Sequence, residues 1–150
     1  IWEPAIQRYE ARPTPAEVFN PVRYLAGTAY LFTDRPGEAR RLLEGFIEAD
    51  PGYIPTYGYV GVAAVRMGDT ATAHRMLERI AEFDQPWDHG GPEMVSATLL
   101  ASLGERDRAL AMLELGVEKG FGEWMDVHQN LLLRPLWDYP PFQDFVRPKG

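Results

Sequence analysis

The side chains able to do acid–base or metal chemistry in this 150-residue chain are few and scattered. His74 and Glu78 stand four residues apart in a helical pattern, a spacing that two metal ligands on one helix face can use. No second ligand pair accompanies them, so a solvated helix face accounts for them better than a metal centre. His89 lies beside Asp88 in a turn-rich stretch, and His128 lies near Asp126 towards the C-terminus. The chain has no cysteine, which removes thiolate nucleophiles, thiolate ligands and disulfides. No G-x-S-x-G surrounds a serine. Gly90-Gly91 runs into Pro92 and reads as a turn before a helix, not as a phosphate loop. Glu38, Asp69 and Glu105 fall at expected helix starts, where the helix dipole favours negative charge. No carboxylate pair stands out for acid–base work. These residues point to no catalytic group, no metal ligand set and no cofactor, and the chain reads as non-enzymatic.

Composition narrows the partner class. The formal net charge is −7, and the arginines are spread along the chain, which argues against the clustered basic face of direct nucleic-acid contact. With 45% hydrophobic and 25% charged residues, the chain has the balance of a globular domain. No apolar run approaches the ~18 residues of a membrane span, and no signal peptide opens the chain. A cytoplasmic protein is expected. The chain starts at Ile1 in mid-pattern, so it is expected to be a piece of a longer protein.

Helical periodicity organises most of what remains. Asn20 is a good N-cap and Pro21 suits the first helical turn. Tyr24, Leu25, Thr28, Leu31 and Phe32 then recur with a 3.6-residue period, ending near Thr33-Asp34. A second helix is expected from Pro36, with Ala39, Leu42, Leu43, Phe46 and Ile47 as its buried stripe, stopping before Asp50-Pro51-Gly52. The same order follows twice more, with helices expected over 54–67, 70–83, 92–103 and 106–119. Ala39, Ala73 and Ala109 mark the register, with steps of 34 and 36 residues. The two-residue slip falls in the turn-rich stretch 85–91. Gly27, Gly61 and Ala97 supply a second set of small residues for close helix crossing, and Leu43, Leu77 and Leu113 fill the space between layers. A repeat of this length built from two helical patterns is the mark of a helical solenoid.

The two ends differ. Ala5 and Tyr9 lie 34 residues before Ala39 and Leu43, as if in the second helix of a preceding unit, and Thr14-Pro-Ala-Glu17 reads as a capping box. Beyond Gly120-Phe-Gly122, the apolar residues Trp124, Val127, Leu131, Leu132, Leu133, Leu136, Trp137, Phe142 and Phe145 predict short helices folded onto the open end of the array. The expected organisation is one domain over 1–150: an N-terminal helical segment over 1–19, repeats over 20–53, 54–89 and 90–123, and a cap over 124–150.

Gly27-x-x-Tyr30, Asp34, Ala39, Leu43, Phe46 and Asp50-Pro51 together resemble a tetratricopeptide repeat (TPR). The second unit matches at Tyr57, Gly61, Ala64, Gly68-Asp69, Ala73, Leu77 and Asp84, with Gln85 where proline is usual. The third matches at Leu100, Gly104, Ala109 and Leu113, and departs at Ala97, at Gly116 and in lacking the closing Asp-Pro. The resemblance implies an all-α fold: three helical hairpins in a right-handed superhelix, with extra helices at both ends. It implies that first helices line a concave face, which places Tyr24, Thr28, Leu31 and Phe32 there in the first unit. Gly58, Val62, Val65 and Arg66 follow in the second, and Met94, Thr98, Ala101 and Ser102 in the third. One TPR subclass grips a peptide's terminal carboxylate with Lys and Asn on this face; those types are absent here. The tail from Leu133 to Phe145 looks like the closing segment of certain bacterial multidomain proteins, implying the C-terminal part of a signalling or transcription-regulatory protein.

The expected function is a non-catalytic interaction module binding a protein or peptide through Tyr24, Thr28, Leu31, Phe32, Val62, Arg66, Met94 and Thr98. Two alternatives stay open at this point. One is self-association through the apolar groove or ends. The other is a small-molecule or enzymatic site near His74 and Glu78. The groove itself is either open to a partner or filled by the N-terminal segment or the rest of the protein.

Overall fold

The computed structural model describes residues 2–4, 6–7, 21–83, 85, 88–121, 127 and 129–147. The signals read at Ala5, Tyr9, Thr14, Glu17, Asn20, Asp84, Pro86, Gly122, Trp124, Asp126 and His128 lie outside the described residues. Among the described residues the fold is all-α. In order, its elements are α1 (Pro21–Phe32), α2 (Pro36–Ala49), α3 (Ile54–Arg66), α4 (Thr70–Ala81), α5 (Gly91–Leu103), α6 (Arg106–Glu118), a 3-10 helix (Leu131–Leu136) and α7 (Pro140–Val146). Helical backbone also occurs at Glu3, Pro4, Ile6 and Gln7. The helices start within a residue of the positions expected from periodicity; α2 and α5 end where expected, and α1, α3, α4 and α6 end one or two residues sooner, where fraying and turn formation compete.

The hairpins share one turn. Asp34, Gly68 and Gly104 occupy the same repeat position and all adopt left-handed backbone, with φ of 60°, 79° and 82°. The next residue's N–H then reaches back to close the helix end. Arg35 donates to Tyr30 O (2.9 Å), Asp69 to Ala64 O (2.9 Å) and Glu105 to Leu100 O (3.0 Å). This satisfies a carbonyl that the helix leaves open and turns the chain back into the following helix. Glycine reaches φ > 0 freely, whereas Asp34 carries a Cβ into that region.

Small residues set the helix separation. Ala39, Ala73 and Ala109 are fully buried, as is Ala97. A Cβ placed on Gly27 would lie 2.7 Å from Leu43 Cγ, so α1 and α2 approach at a distance only glycine allows. Leu43 and Leu113 are fully buried, each such side chain stabilising by about 1.5–3 kcal/mol. Leu77, at the same repeat position, is only half-buried.

The chain divides into two compact units, Ile1–Leu77 and Glu78–Gly150. In the first, α2 packs against both α1 and α3. The core includes Ala29, Leu31, Leu42, Leu43, Phe46, Tyr57, Val60 and Val62. Asp69 caps α4 here: its Oδ1 accepts from Thr72 N (3.0 Å) and its Oδ2 from Thr72 Oγ1 (2.6 Å). Arg40 of α2 adds a 2.8 Å ion pair to Oδ2. In the second unit, α5 packs against α6 and against the 3-10 helix, burying Leu132, Leu133 and Leu136. Asn130 Oδ1 accepts from Leu132 N (3.0 Å) and starts that helix. Arg106 pairs with Asp138 at 3.1 Å, and Tyr139 Oη donates to Asp107, so α6 holds the tail as well. The tail thus covers the last hairpin, as an exposed inner face requires.

Two measurements check this. Asp34→Gly removes the strained Cβ from the first turn and should raise stability by up to about 1 kcal/mol in urea unfolding. The Asp69 carboxyl is held at about 2, below its ordinary 3.8, first by the Thr72 hydroxyl, then by the Thr72 N–H and by Arg40. Such a depressed group stabilises the fold above about pH 4, and the contribution is lost as pH falls towards 2. The melting-temperature gap between the native chain and Asp69→Asn should therefore be open at pH 6 and close between pH 4 and 2.

Candidate partner-binding site

In the first unit, Tyr24 is the centre of an aromatic cluster built from three successive elements. Its ring lies 5.6 Å from Phe46 on α2, 5.1 Å from Tyr53 in the following turn, and 5.7 Å from Tyr59 on α3. Phe46 and Tyr53 also meet edge-on at 5.9 Å. Edge-to-face and tilted ring pairs of this kind are favourable beyond simple burial. The Asp50-Pro51-Gly52 turn places Tyr53: Asp50 Oδ1 accepts from Gly52 N (3.2 Å), and Tyr57 Oη donates to Pro51 O (2.8 Å). Tyr53 stays exposed, Tyr24 and Tyr59 are half-buried, and Phe46 is buried beneath them. Burial, followed by the neighbouring Tyr59 and Tyr53 hydroxyls, pushes the Tyr24 phenol far above its ordinary value.

The other expected groove residues divide by exposure. Leu31 and Val62 are fully inside the core, and Thr28 is buried with its Oγ1 donating to Tyr24 O (2.9 Å). Phe32 is half-buried and stacks on Trp2, with ring centroids 5.6 Å apart and planes 19° from parallel. The N-terminal segment therefore occupies the end of α1, and Ile6 of that segment is itself fully buried. Arg66 is exposed, and its Nη1 donates to the Leu31 carbonyl at the end of α1. A guanidinium is well placed there, because a helix C-terminus presents open carbonyls and partial negative charge. Gly58 is buried and Val65 half-buried.

Met94 and Thr98 lie on α5 of the second unit, both buried, with Thr98 Oγ1 donating to Val95 O (2.8 Å). Ala101 is buried, and Ser102 is half-buried with Oγ donating to Thr98 O (3.0 Å). Their hydroxyls are thus satisfied by their own helix. The structure brings Tyr24, Leu31, Phe32, Val62 and Arg66 into one unit, but the residues it presents at the surface are Tyr24, Phe32 and Arg66. Periodicity identifies a helix face without distinguishing the residue that lines it from the residue buried behind it. It missed Tyr53 and Tyr59, which reach Tyr24 through the turn and the next helix.

The polar candidates are dispersed. His74 and Glu78 are exposed on α4, and His89 is exposed in the turn before α5. Among the described residues no three His, Cys, Asp or Glu side chains converge as a metal site would require. Among them, too, no helix is long and apolar enough to cross a membrane. The nested Tyr24 phenol has a measurable consequence. In an alkaline absorbance titration, Tyr24→Phe should leave the amplitude of the tyrosinate transition near pH 10 unchanged; a loss of one tyrosine's amplitude would show that Tyr24 is not held in its neutral form.

Comparison with known proteins agrees with the first hairpin. Residues 21–44 match the tetratricopeptide repeat family (TPR_4), a stretch that holds α1, its left-handed turn and the first half of α2. Neither curated proteins nor solved structures show a match to the chain.

Proposed function

We propose that this chain is a non-catalytic protein-interaction module that receives a partner peptide or helix on the first helices of its hairpins. The observation that carries this reading is the repeated hairpin itself: the same left-handed turn and the same buried alanine recur three times. TPR repeats generally bind protein partners, and α1 with its turn and the start of α2 matches that family. Stacked helical repeats offer extended binding surfaces in place of a deep reaction cleft.

Tyr24 and Arg66 supply the partner contacts in the first unit, one amphipathic and one cationic, both favoured at binding hot spots. Thr28, Leu31 and Val62 are packed support within the first unit, and Met94 and Thr98 are buried within the second. Phe32 reaches a partner only at its edge, because Trp2 covers its face. The resemblance of the tail supports a place at the C-terminal end of a larger bacterial signalling or transcription-regulatory protein, in the cytoplasm. An enzymatic reading would rest on His74 and Glu78, both exposed on α4.

A second reading, self-association, is favoured by large apolar side chains left at the surface. Leu131 is 54% and Trp137 40% exposed in the tail. Two experiments separate the readings. Partner recovery from bacterial lysate should fall at least tenfold for Tyr24→Ala/Arg66→Glu when circular dichroism shows the variant folded; unchanged recovery overturns the groove assignment. Sedimentation at high micromolar concentration removes the self-association reading if the chain remains strictly monomeric.

A further inference from the structure

The N-terminal turn departs from the repeat at two positions. Its start is local: Glu3 and Pro4 are the first helical residues, where an acidic side chain and a proline are favoured. Ile6 N then donates to Trp2 O at 3.1 Å, which sets Trp2 and Ile6 four residues apart on one helical turn. In the register of the hairpins, Trp2 and Ile6 correspond to Pro36 and Arg40 in α2, Thr70 and His74 in α4, and Arg106 and Leu110 in α6. None of those counterparts is aromatic and none is buried, whereas Ile6 is fully buried. Phe32 is exceptional in the same way, because its counterparts are Arg66 and Ser102.

Trp2 and Phe32 stack with centroids 5.6 Å apart, and each ring stays half-buried. The regular second helices carry Pro, Thr or Arg where this turn carries Trp2. The stack is thus an addition to the repeat and not a requirement of it. It also lies beside the surface proposed for a partner: Leu31, next to Phe32, accepts from Arg66. Glu3, Pro4 and Gln7 remain exposed, so the turn covers only the side that carries Trp2 and Ile6.

We propose that residues 2–7 are an autoinhibitory turn, which covers Phe32 and leaves when a partner helix bearing an aromatic and an aliphatic residue four apart takes its place. This rests on the reading that the first helices receive a partner. The turn serves as a built-in ligand, and its Trp2–Ile6 pattern states what the surface accepts: one apolar face of an amphipathic helix. A segment on the same chain competes at an effective concentration on the order of millimolar. The turn therefore sets a threshold that a partner must exceed. Trp2 is the residue whose loss lowers it, since its ring supplies the stack on Phe32.

The test uses the 150-residue chain labelled with 5-fluorotryptophan, and an unlabelled peptide copying residues 2–10, acetyl-Trp-Glu-Pro-Ala-Ile-Gln-Arg-Tyr-Glu-amide. The chain's four tryptophans give four fluorine resonances, and Trp2→Phe identifies that of Trp2. Adding the peptide to the native chain should move the Trp2 resonance saturably towards that of a fluorotryptophan in the free peptide. The same peptide with serine in place of its Trp and Ile should not. Trp2→Ala should bind the peptide at least tenfold more tightly than the native chain, and Trp2→Ala/Phe32→Ala should lose that gain. Trp2→Ala/Ile6→Ala should bind more tightly still; if it unfolds, Trp2→Ala decides alone. Equal affinity of the native chain and Trp2→Ala, no saturable binding to folded Trp2→Ala, or a Trp2 resonance that stays in place while the peptide binds overturns the proposal. The peptide stands in for the natural partner, so the two readings fail separately. Lysate recovery insensitive to Tyr24→Ala/Arg66→Glu overturns the surface, whereas a failed peptide titration beside sensitive recovery overturns only the turn.

Discussion

The close approach of paired helices governs this structure, and it rests on backbone geometry at the turn as much as on the size of the residues at the crossing. A helix that ends on a left-handed residue presents its last open carbonyl to the N–H that follows, so the chain reverses within two residues. The next helix then lies alongside, and only alanine or glycine fits where the two meet. Gly27 against Leu43 shows how little room remains. Large side chains one turn further along fill what the small ones leave, giving the dense packing on which helix layers depend. The aromatic cluster, the capped start of α4 and the tail's seat on α5 all presuppose that spacing.

Polar groups join the layers where apolar contact alone would leave helix ends open. Asp69 caps α4 while drawing Arg40 across from α2, so one carboxylate serves both a helix terminus and a neighbouring helix. Arg66 does the converse, placing a cation on the carbonyl end of α1. Partly exposed polar contacts such as these contribute little individually; their effect here is to orient. The same arginine that steadies α1 stands at the surface proposed for a partner, so recognition and support share a side chain.

Departures from the repeat are where this chain differs from a generic solenoid. Trp2 covers Phe32, which narrows the surface that regular repetition would have left open. The turn before α5 and the glycine at 116 meet backbone to backbone, a contact that a side chain at Gly90 would block. A periodic pattern yields the same hairpin each time, whereas an interruption yields a shape peculiar to the molecule. That is the physical reason to seek specificity at interruptions.

Helix placement was legible in the linear chain because its determinants are local. Proline at a first turn, a small residue every repeat and Asp, Gly or Gly at the turn each act within a few residues of themselves. The register of Ala39, Ala73 and Ala109 belongs to this class, as does the lack of cysteine. What needed the tertiary structure depends on residues far apart in sequence. It decided that Leu31 and Val62 are buried while Tyr24 and Arg66 reach the surface, because a helix face has depth that a 3.6-residue period does not resolve. It brought Tyr53 and Tyr59 to Tyr24, Trp2 to Phe32, and Gly90 to Gly116. It also left one oxygen of Glu93 buried without a donor among the described residues, since a carboxylate's burial and pairing are set by neighbours from other elements and not by its place in a helix.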